Sequence, residues 1–125
     1  MILQYGDIMT DQATTTKVQF FMAFAHPIRL QILEELKEGE RCVCELVQSV
    51  KGASQSQVSN HLACLDDCGL VSSRREWRKI YYRLADPKIA RLLKIADEIA
   101  LRVASKIAVC PDIAPNTGEE GRWKL

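Results

Sequence analysis

Long hydrophobic runs are missing from this sequence of 125 residues. No stretch approaches the ~18 uninterrupted apolar residues of a membrane-spanning helix. The N-terminus also lacks the basic segment and apolar core of a secretory signal. Both absences predict a cytoplasmic protein without a membrane span. Its 47% hydrophobic and 26% charged residues are typical of a soluble globular protein, and its length is that of one domain.

Motifs of common catalytic sites are missing too. The sequence has no glycine-rich phosphate loop, no nucleophile elbow and no pair of acids sharing an apolar wall. It has no internal repeat. We therefore predict that the protein is not an enzyme.

The cysteine pattern does not suit a disulfide framework. Five cysteines form two close pairs, Cys42 with Cys44 and Cys64 with Cys68, and leave Cys110 single. Such grouping favours thiolate ligands in a reducing compartment. We expect all five cysteines to be reduced.

A strong overall charge is also absent, since the formal net charge is +1. That value argues against general attraction to nucleic acid. The positive charge is nevertheless concentrated between Ser72 and Arg83, where Glu76 is the single acid and the basic residues are Arg74, Arg75, Arg78, Lys79 and Arg83. A basic hairpin of this kind is typical of a surface that contacts nucleic acid.

The segment 54–71 combines two patterns. Val58, Leu62 and Leu65 recur at helical spacing, and the first turns carry Gln55, Ser56, Gln57, Ser59 and Asn60. Serine and asparagine compete with helical hydrogen bonds, so their presence here indicates another use. Reading base edges is one such use, because the N-terminal residues of a recognition helix face the bases in the major groove. Gly69 predicts a left-handed helix end, and Leu70 and Val71 open a strand.

The remaining patterns predict the order α-α-α-α-β-β-α, a mainly α winged helix-turn-helix with a small β-hairpin wing. We expect helices over 17–25, 27–37 and 42–50, and a turn at 51–53 that leads into a recognition helix capped by Ser54 or Ser56. Strands over 70–76 and 80–84 and a long helix from Asp86-Pro87 follow. The predicted divisions are a mobile arm 1–16, a DNA-binding and dimerisation domain 17–110, and a disordered tail 111–125. The apolar face of the long helix is too wide for one domain to cover, which predicts a homodimer formed through the terminal helices; this face comprises Ile89, Leu92, Leu93, Ala96, Ile99, Ala100, Val103 and Ile107.

Three motifs occur in a fixed order: AHPIRLQIL at 25–33, ERCVCEL at 40–46, and QSQVSNHL at 55–62 followed by DDCGLV at 66–71. Together they resemble the ArsR/SmtB winged-helix repressors, which sense metals and metalloids, over about 18–110. The resemblance implies a dimer whose recognition helices read successive major-groove segments of an imperfect inverted repeat in operator DNA. The implied groove residues are Gln55, Ser56, Gln57, Ser59, Asn60 and His61, with Arg74, Arg75, Arg78 and Lys79 on phosphate or minor groove. The family usually has a glycine at the wing tip, but this chain has Glu76-Trp77-Arg78 there. The Trp77 side chain could lie on a sugar-phosphate backbone or fold back onto the sheet.

Cys64 and Cys68 are four residues apart on the predicted recognition helix, so their β-carbons lie roughly 5–6 Å apart on one face. A third ligand is implied by resemblance to the cadmium- and lead-sensing CmtR-type members, in which the corresponding position is Cys110. Three thiolates suit a soft effector ion, Cd(II) or Pb(II), with As(III) or Zn(II) as further candidates. The alternative is that Cys64 and Cys68 are small buried core residues.

Cys42 and Cys44 are similar to the cysteine motif of the arsenic and cadmium sensors, but Val47 occupies the position of a further cysteine. Residues two apart do not share a helix face. The pair is therefore a less favoured second metal site, with a thiolate at Cys42 and a core role for Cys44 as the alternative. The family's zinc site on the long helix is absent, because no histidine occurs between Ile89 and Val109.

Two other functions remain open. One is a repressor of the same fold that senses thiol oxidation or persulfides through its cysteines. A winged-helix protein-interaction module without DNA binding is the other alternative, suggested by the acidic Asp66 and Asp67 where relatives tend to be basic.

Overall fold

The computed structural model describes residues 11–113 as five helices and three short strands. Helices α1 to α5 span Gln12–Phe24, Pro27–Leu36, Val43–Ser49, Gln55–Asp67 and Pro87–Ile107. Strands β1 to β3 span Arg41–Cys42, Val71–Glu76 and Lys79–Leu84. The arrangement confirms the predicted mainly α winged helix-turn-helix. Most of the predicted arm, 1–10, and most of the predicted tail, 114–125, lie outside the described residues.

Helix α4 has a defined stop at each end. Ser54 Oγ accepts from the Gln57 amide at 3.2 Å, and Gln57 Oε1 accepts in return from the Ser54 amide at 2.9 Å. This reciprocal capping box satisfies two amides that a helix start leaves unpaired. At the other end Gly69 has a φ of 79°, and the Leu70 amide donates to the Leu65 carbonyl at 2.9 Å. That bond and the left-handed glycine form the Schellman motif, as predicted for Gly69.

The core lies where α2, α3 and α4 meet the sheet. Its fully buried side chains are Ile32, Leu33, Leu46, Val58, Leu62, Leu65 and Val71. Ile89 and Leu93 of α5 complete it. The predicted apolar stripe of α4 is therefore the side of that helix that faces the core, and its polar side faces outward.

Helix α1 begins five residues earlier than the predicted start at Lys17. Asp11 stands at its N-cap, where the Thr15 amide donates to the Asp11 carbonyl at 3.0 Å and the Thr14 hydroxyl donates to the Asp11 carboxylate at 2.7 Å. The threonine run is compatible with a helix here because it occupies the first turns. The helix start predicted at Lys17 was therefore wrong.

Strand β1 was not predicted. Its two residues pair antiparallel with β3, Arg41 opposite Tyr82 and Cys42 opposite Tyr81, which extends the hairpin to a sheet of order β1-β3-β2. Because Cys42 belongs to this strand, it has the extended backbone of an N-cap and precedes α3 instead of starting it.

Helix α5 leaves the core after its first two turns. Ile89 and Leu93 are buried, whereas Ile99 and Ile107 of the predicted apolar face are exposed. Ile95 and Leu101, which were not part of that predicted face, are exposed as well. A single protomer thus leaves much apolar surface of this helix uncovered, as the sequence predicted. No helix of the described segment has the length and apolarity needed to cross a membrane.

Removal of the α4 cap tests this account of the recognition helix. Ser54→Ala should lower the free energy of unfolding by about 1 kcal/mol, because one amide of the first turn loses its acceptor. Ser56→Ala is the matched control and should change stability little, since Ser56 lies inside the helix and caps nothing. Urea unfolding of both variants measures the difference, and equal losses would contradict the capping role.

Candidate functional site

A shallow cleft separates the first turns of α4 from the wing, the hairpin formed by β2 and β3. Gln55 and Ser59 line one side, Arg78 and Lys79 line the other, and Cys42, Val43, Cys44 and Ile80 complete the lining. The fold therefore brings residues predicted to read bases next to residues predicted to contact phosphate.

The outward side of α4 offers free polar groups. Gln55, Ser56, Ser59 and Asn60 are all exposed. Within residues 11–113 their side chains take part in no hydrogen bond, so their donors and acceptors are available to a ligand. A projecting helix with this surface has the chemistry that reads base edges.

Gln57 differs from these four residues. Its Oε1 atom accepts the Ser54 amide in the capping box. Only its amide donors are left for a base, so Gln57 has a structural role that the sequence pattern did not reveal.

His61 is turned toward the start of α2 and is half-buried. Its ring lies against that of His26, with centroids 4.3 Å apart, and its Nδ1 atom is 3.5 Å from Arg29 Nη1. Arg29 also donates to the carbonyls of Ala23 and Met22 at the end of α1. His61 therefore helps to join α4 to α1 and α2, in contrast to the four outward polar residues.

The environment of this histidine pair disfavours protonation. Burial lowers the pKa of both rings, and the Arg29 charge lowers the pKa of each further. His26 also uses its Nδ1 atom to accept from the Ile28 amide at 3.1 Å, which caps α2.

Arg74 is fully engaged within the protein. It donates from Nε and Nη2 to the two carboxylate oxygens of Glu40, each at 2.8 Å, and from Nη1 to Glu76 at 2.8 Å. Its guanidinium also lies over the Tyr81 ring, 4.8 Å from the centroid. The positive charge of Arg74, which the sequence suggested for phosphate contact, is thus paired with Glu40 and Glu76 within the protein. Through Glu40, Arg74 also holds the wing against the segment before β1.

The other three predicted wing cations, Arg75, Arg78 and Lys79, are exposed. Over the described part of the chain none of them forms an ion pair. Their charge is free to meet phosphate groups.

Cys64 and Cys68 both have free thiols near the end of α4. Desolvation raises the pKa of Cys68, and the adjacent Cys64 raises that pKa further. Cys68 also borders a depression lined by Thr16 and Phe20 of α1. Two soft donors therefore lie together between the recognition helix and α1.

Cys110 does not join them within one chain. Among residues 11–113, no three histidine, cysteine or acidic side chains converge as a metal site. Cys110 lies just beyond α5, its amide donating to the Ile107 carbonyl at 3.1 Å.

Cys42 and Cys44 are disulfide partners in the structure, with α-carbons 5.5 Å apart. This corrects the expectation that all five cysteines are reduced. The two side chains meet because Cys42 has an extended backbone outside α3, so the helical spacing rule does not apply to the pair. Cys42 is buried and Cys44 is exposed beside the cleft.

A helix-turn-helix with a projecting polar helix and a basic wing defines a winged-helix DNA-binding regulator. The chain belongs to the ArsR/SmtB family, because residues 26–73 match the family described as "Bacterial regulatory protein, arsR family" and a close relative spans most of its length. That relative is a probable mercury resistance operon repressor of Streptomyces lividans, 42% identical, with 84% of this chain and 82% of the relative covered.

Two further proteins extend the comparison. The transcriptional regulator CmtR of Mycobacterium bovis is 41% identical over 65% of this chain and 68% of its own length. The solution structure of the homodimeric winged helix-turn-helix domain of Mb0332 from M. bovis superposes with a TM-score of 0.67 at 32% identity, covering 76% of this chain and 87% of that one. All three are named as transcriptional repressors or regulators, and none as an enzyme, which confirms the family resemblance and the prediction of a non-enzymatic protein.

Sequence reasoning missed two residues that organise the surface. Arg29 joins α1 to the recognition helix, and Glu40 holds Arg74 across 34 positions of sequence. Neither contact follows a local pattern. In the sequence, Glu40 shows only as an acid directly before β1, with no local pattern that identifies Arg74 as its partner.

Removal of the free wing cations should weaken DNA binding in a salt-dependent way. Arg78→Ala with Lys79→Ala should reduce affinity for all duplexes and lower the slope of log affinity against log salt by about 1 for each phosphate that is no longer neutralised. Arg102→Ala with Lys106→Ala removes equal charge from exposed positions on α5 and should leave the slope unchanged. Fluorescence anisotropy across a salt series measures both, and an unchanged slope in the wing variant would argue against phosphate binding by the wing.

The histidine pair should make stability depend on pH. Because the folded-state pKa of each ring is depressed, the unfolded chain binds more protons, and this contribution is fully present above the ordinary value of 6.5 and lost as the pH falls below it. His61→Gln should reduce the loss between pH 7.5 and pH 5.5 in urea unfolding. Equal losses in both proteins would show that the pair does not govern this range.

Proposed function

We propose that this chain is a homodimeric, metal-responsive repressor whose metal-free dimer binds operator DNA and releases it on binding a soft ion. One observation carries the proposal: the recognition helix bears free polar groups on its outward side and two adjacent thiols, Cys64 and Cys68, at its other end. The same rigid element thus meets both ligands.

Base reading falls to Gln55, Ser56, Ser59 and Asn60, with the amide donors of Gln57. Arg75, Arg78 and Lys79 hold phosphate or minor groove. Arg74 and His61 position the wing and the helix. Support for this division comes from the free side chains of the first group and the occupied ones of the last.

A homodimer is supported by the uncovered apolar surface of α5 and by the homodimeric state named for the Mb0332 domain. Packing α5 against its copy would bury residues such as Ile95 and Ile99. A two-fold dimer also gives the paired recognition helices that an inverted repeat requires. A repressor of this kind would act on operator DNA in the cytoplasm.

The thiols of one chain supply only part of the site that a soft effector ion would need. Cys64 and Cys68 supply two thiolates, and the third donor that a closed soft-metal site needs is Cys110 of the partner subunit, because no third ligand converges among the described residues of one chain. Three thiolates suit Cd(II), Pb(II) and As(III), whereas Zn(II) would need a fourth ligand such as water. The mercury named for the S. lividans relative adds Hg(II) to the ions to be tested. Since the pKa of Cys68 is raised, ion binding should release protons.

Coupling between the two sites requires little free energy. Cys64 and Cys68 would join the recognition helix to the far end of α5, which restricts the spacing of the two helices. A tenfold loss of DNA affinity corresponds to about 1.4 kcal/mol. Thiolate sites yield roughly 10 kcal/mol or more for a soft ion, so a small preference for the released arrangement suffices.

Cysteine substitutions test this assignment. Cys64→Ser, Cys68→Ser and Cys110→Ser should each keep operator binding and abolish release by Cd(II) or Pb(II), because each removes one thiolate. Cys42→Ser and Cys44→Ser are the matched controls and should still release DNA. The measurements are gel shift on the region upstream of its own gene and sulfur-to-metal charge-transfer absorption with Cd(II), Pb(II), Zn(II), As(III) and Hg(II). Normal release by the Cys110 variant together with none by the Cys42 and Cys44 variants would place the sensing site at the junction of β1 and α3.

A thiol-redox repressor is the second candidate, favoured by the position of Cys42 and Cys44 beside the DNA-facing cleft. In a protein whose Cys42–Cys44 bond has first been reduced, oxidation of the two thiols would transfer two electrons and two protons to a small disulfide and restore the intramolecular bond. Mass spectrometry of the protein after such treatment identifies the bond. Release of DNA by the small disulfide in wild type but not in Cys44→Ser would favour this candidate over metal sensing.

A further inference from the structure

The tip of the wing has an unusual backbone for its sequence. Glu76 pairs with Lys79, so only Trp77 and Arg78 connect the two strands. Trp77 has a φ of 63° and is the single non-glycine residue with positive φ in the described segment. A two-residue hairpin with positive φ at its first position has the pattern of a type II′ turn, in which glycine or asparagine is strongly preferred there.

The protein gains little packing from the tryptophan that occupies this position. Its side chain is 85% exposed. Its ring faces the Arg78 guanidinium, which lies 5.2 Å from the ring centroid. Of the two positions open from sequence, the structure places the indole outward and not against the sheet. A large apolar ring in a disfavoured backbone conformation, without burial, points to a use outside the folded chain.

The position of the tip indicates what that use is. Arg78 and Lys79 line the cleft opposite Gln55 and Ser59, and Trp77 directly precedes them at the tip of the wing. With the first turns of α4 in a major groove, the wing on the other side of this cleft would reach the DNA beside that groove. Minor-groove sites favour an arginine beside an apolar side chain that packs on deoxyribose walls or wedges between base steps.

We propose that Trp77 is a DNA-contact residue that packs its indole in the minor groove flanking each half-site, with Arg78 held beside it. This rests on the proposed DNA-binding function. The contact depends on groove width and apolar packing, so it adds affinity with little base preference. It explains why a residue unfavourable for the turn stands at the tip.

Variants of Trp77 separate this role from a structural one, because the two predict opposite effects on stability. Trp77→Asn and Trp77→Gly both suit positive φ and remove the indole, so they should weaken binding about tenfold, the scale expected for removal of one aromatic ring from a nucleic-acid interface. Neither should lower the melting temperature. Trp77→Phe retains an aromatic ring and should bind within about threefold of wild type, on the same scale. A tip with a purely structural tryptophan would show a lower melting temperature in the first two variants and keep its DNA affinity.

The probe is a duplex enriched by in vitro selection with the wild-type dimer, measured by fluorescence anisotropy. Trp77 and Trp123 are the two tryptophans of the chain, so Trp77 is the sole indole in a Trp123→Phe background. Its emission should shift to the blue when the duplex is added. Unchanged emission, or wild-type affinity in both Trp77→Asn and Trp77→Gly, overturns the inference and leaves the DNA-binding function standing. Failure of the wild-type chain to enrich any duplex overturns the function itself and this inference with it.

Discussion

Burial of one side of α4 is the interaction on which the rest of this structure depends. Val58, Leu62 and Leu65 are completely buried among α2, α3 and the sheet. Each such side chain contributes roughly 1.5–3 kcal/mol relative to exposure. Because this stripe fixes the rotation of the helix about its axis, it also decides which residues project. The free polar groups of the first turns face outward as a consequence of core packing.

The polar residues of the candidate DNA-binding surface form two groups: those bonded within the protein and those whose side chains are free. Arg29 and His61 join α4 to neighbouring helices, and Arg74 joins the wing to Glu40. These side chains use charge and hydrogen bonds within the protein and thereby hold the surfaces that others present. The free cations and amides then act from a scaffold whose geometry is set in advance, which reduces the ordering cost when a partner binds.

Most of the fold could be predicted from sequence because its boundaries have local chemical causes. Pro27, Ser54, Gly69 and Pro87 each mark a helix end through their own backbone preferences, and the α4 stripe follows from helical periodicity. The features that could not be predicted are contacts between residues far apart in sequence and elements too short to show a periodic pattern. Strand β1 is two residues long and has no period, the Glu40–Arg74 pair spans 34 positions, and Cys42 meets Cys44 only because β1 pairing keeps Cys42 out of the helix. For the proposed thiol site, Cys64 and Cys68 were predicted from helical spacing, whereas Cys110 was predicted only from the family resemblance. Within residues 11–113 the first two are neighbours and Cys110 does not converge with them.

The uncovered half of α5 has a consequence for abundance. In the proposed dimer the apolar side of this helix would be buried only by a second copy, so folding would depend on chain concentration. Unpaired chains would expose Ile95 and Ile99, and a larger share of them would be open to proteolysis. The lifetime of each chain would then increase with the number of copies available to pair with it.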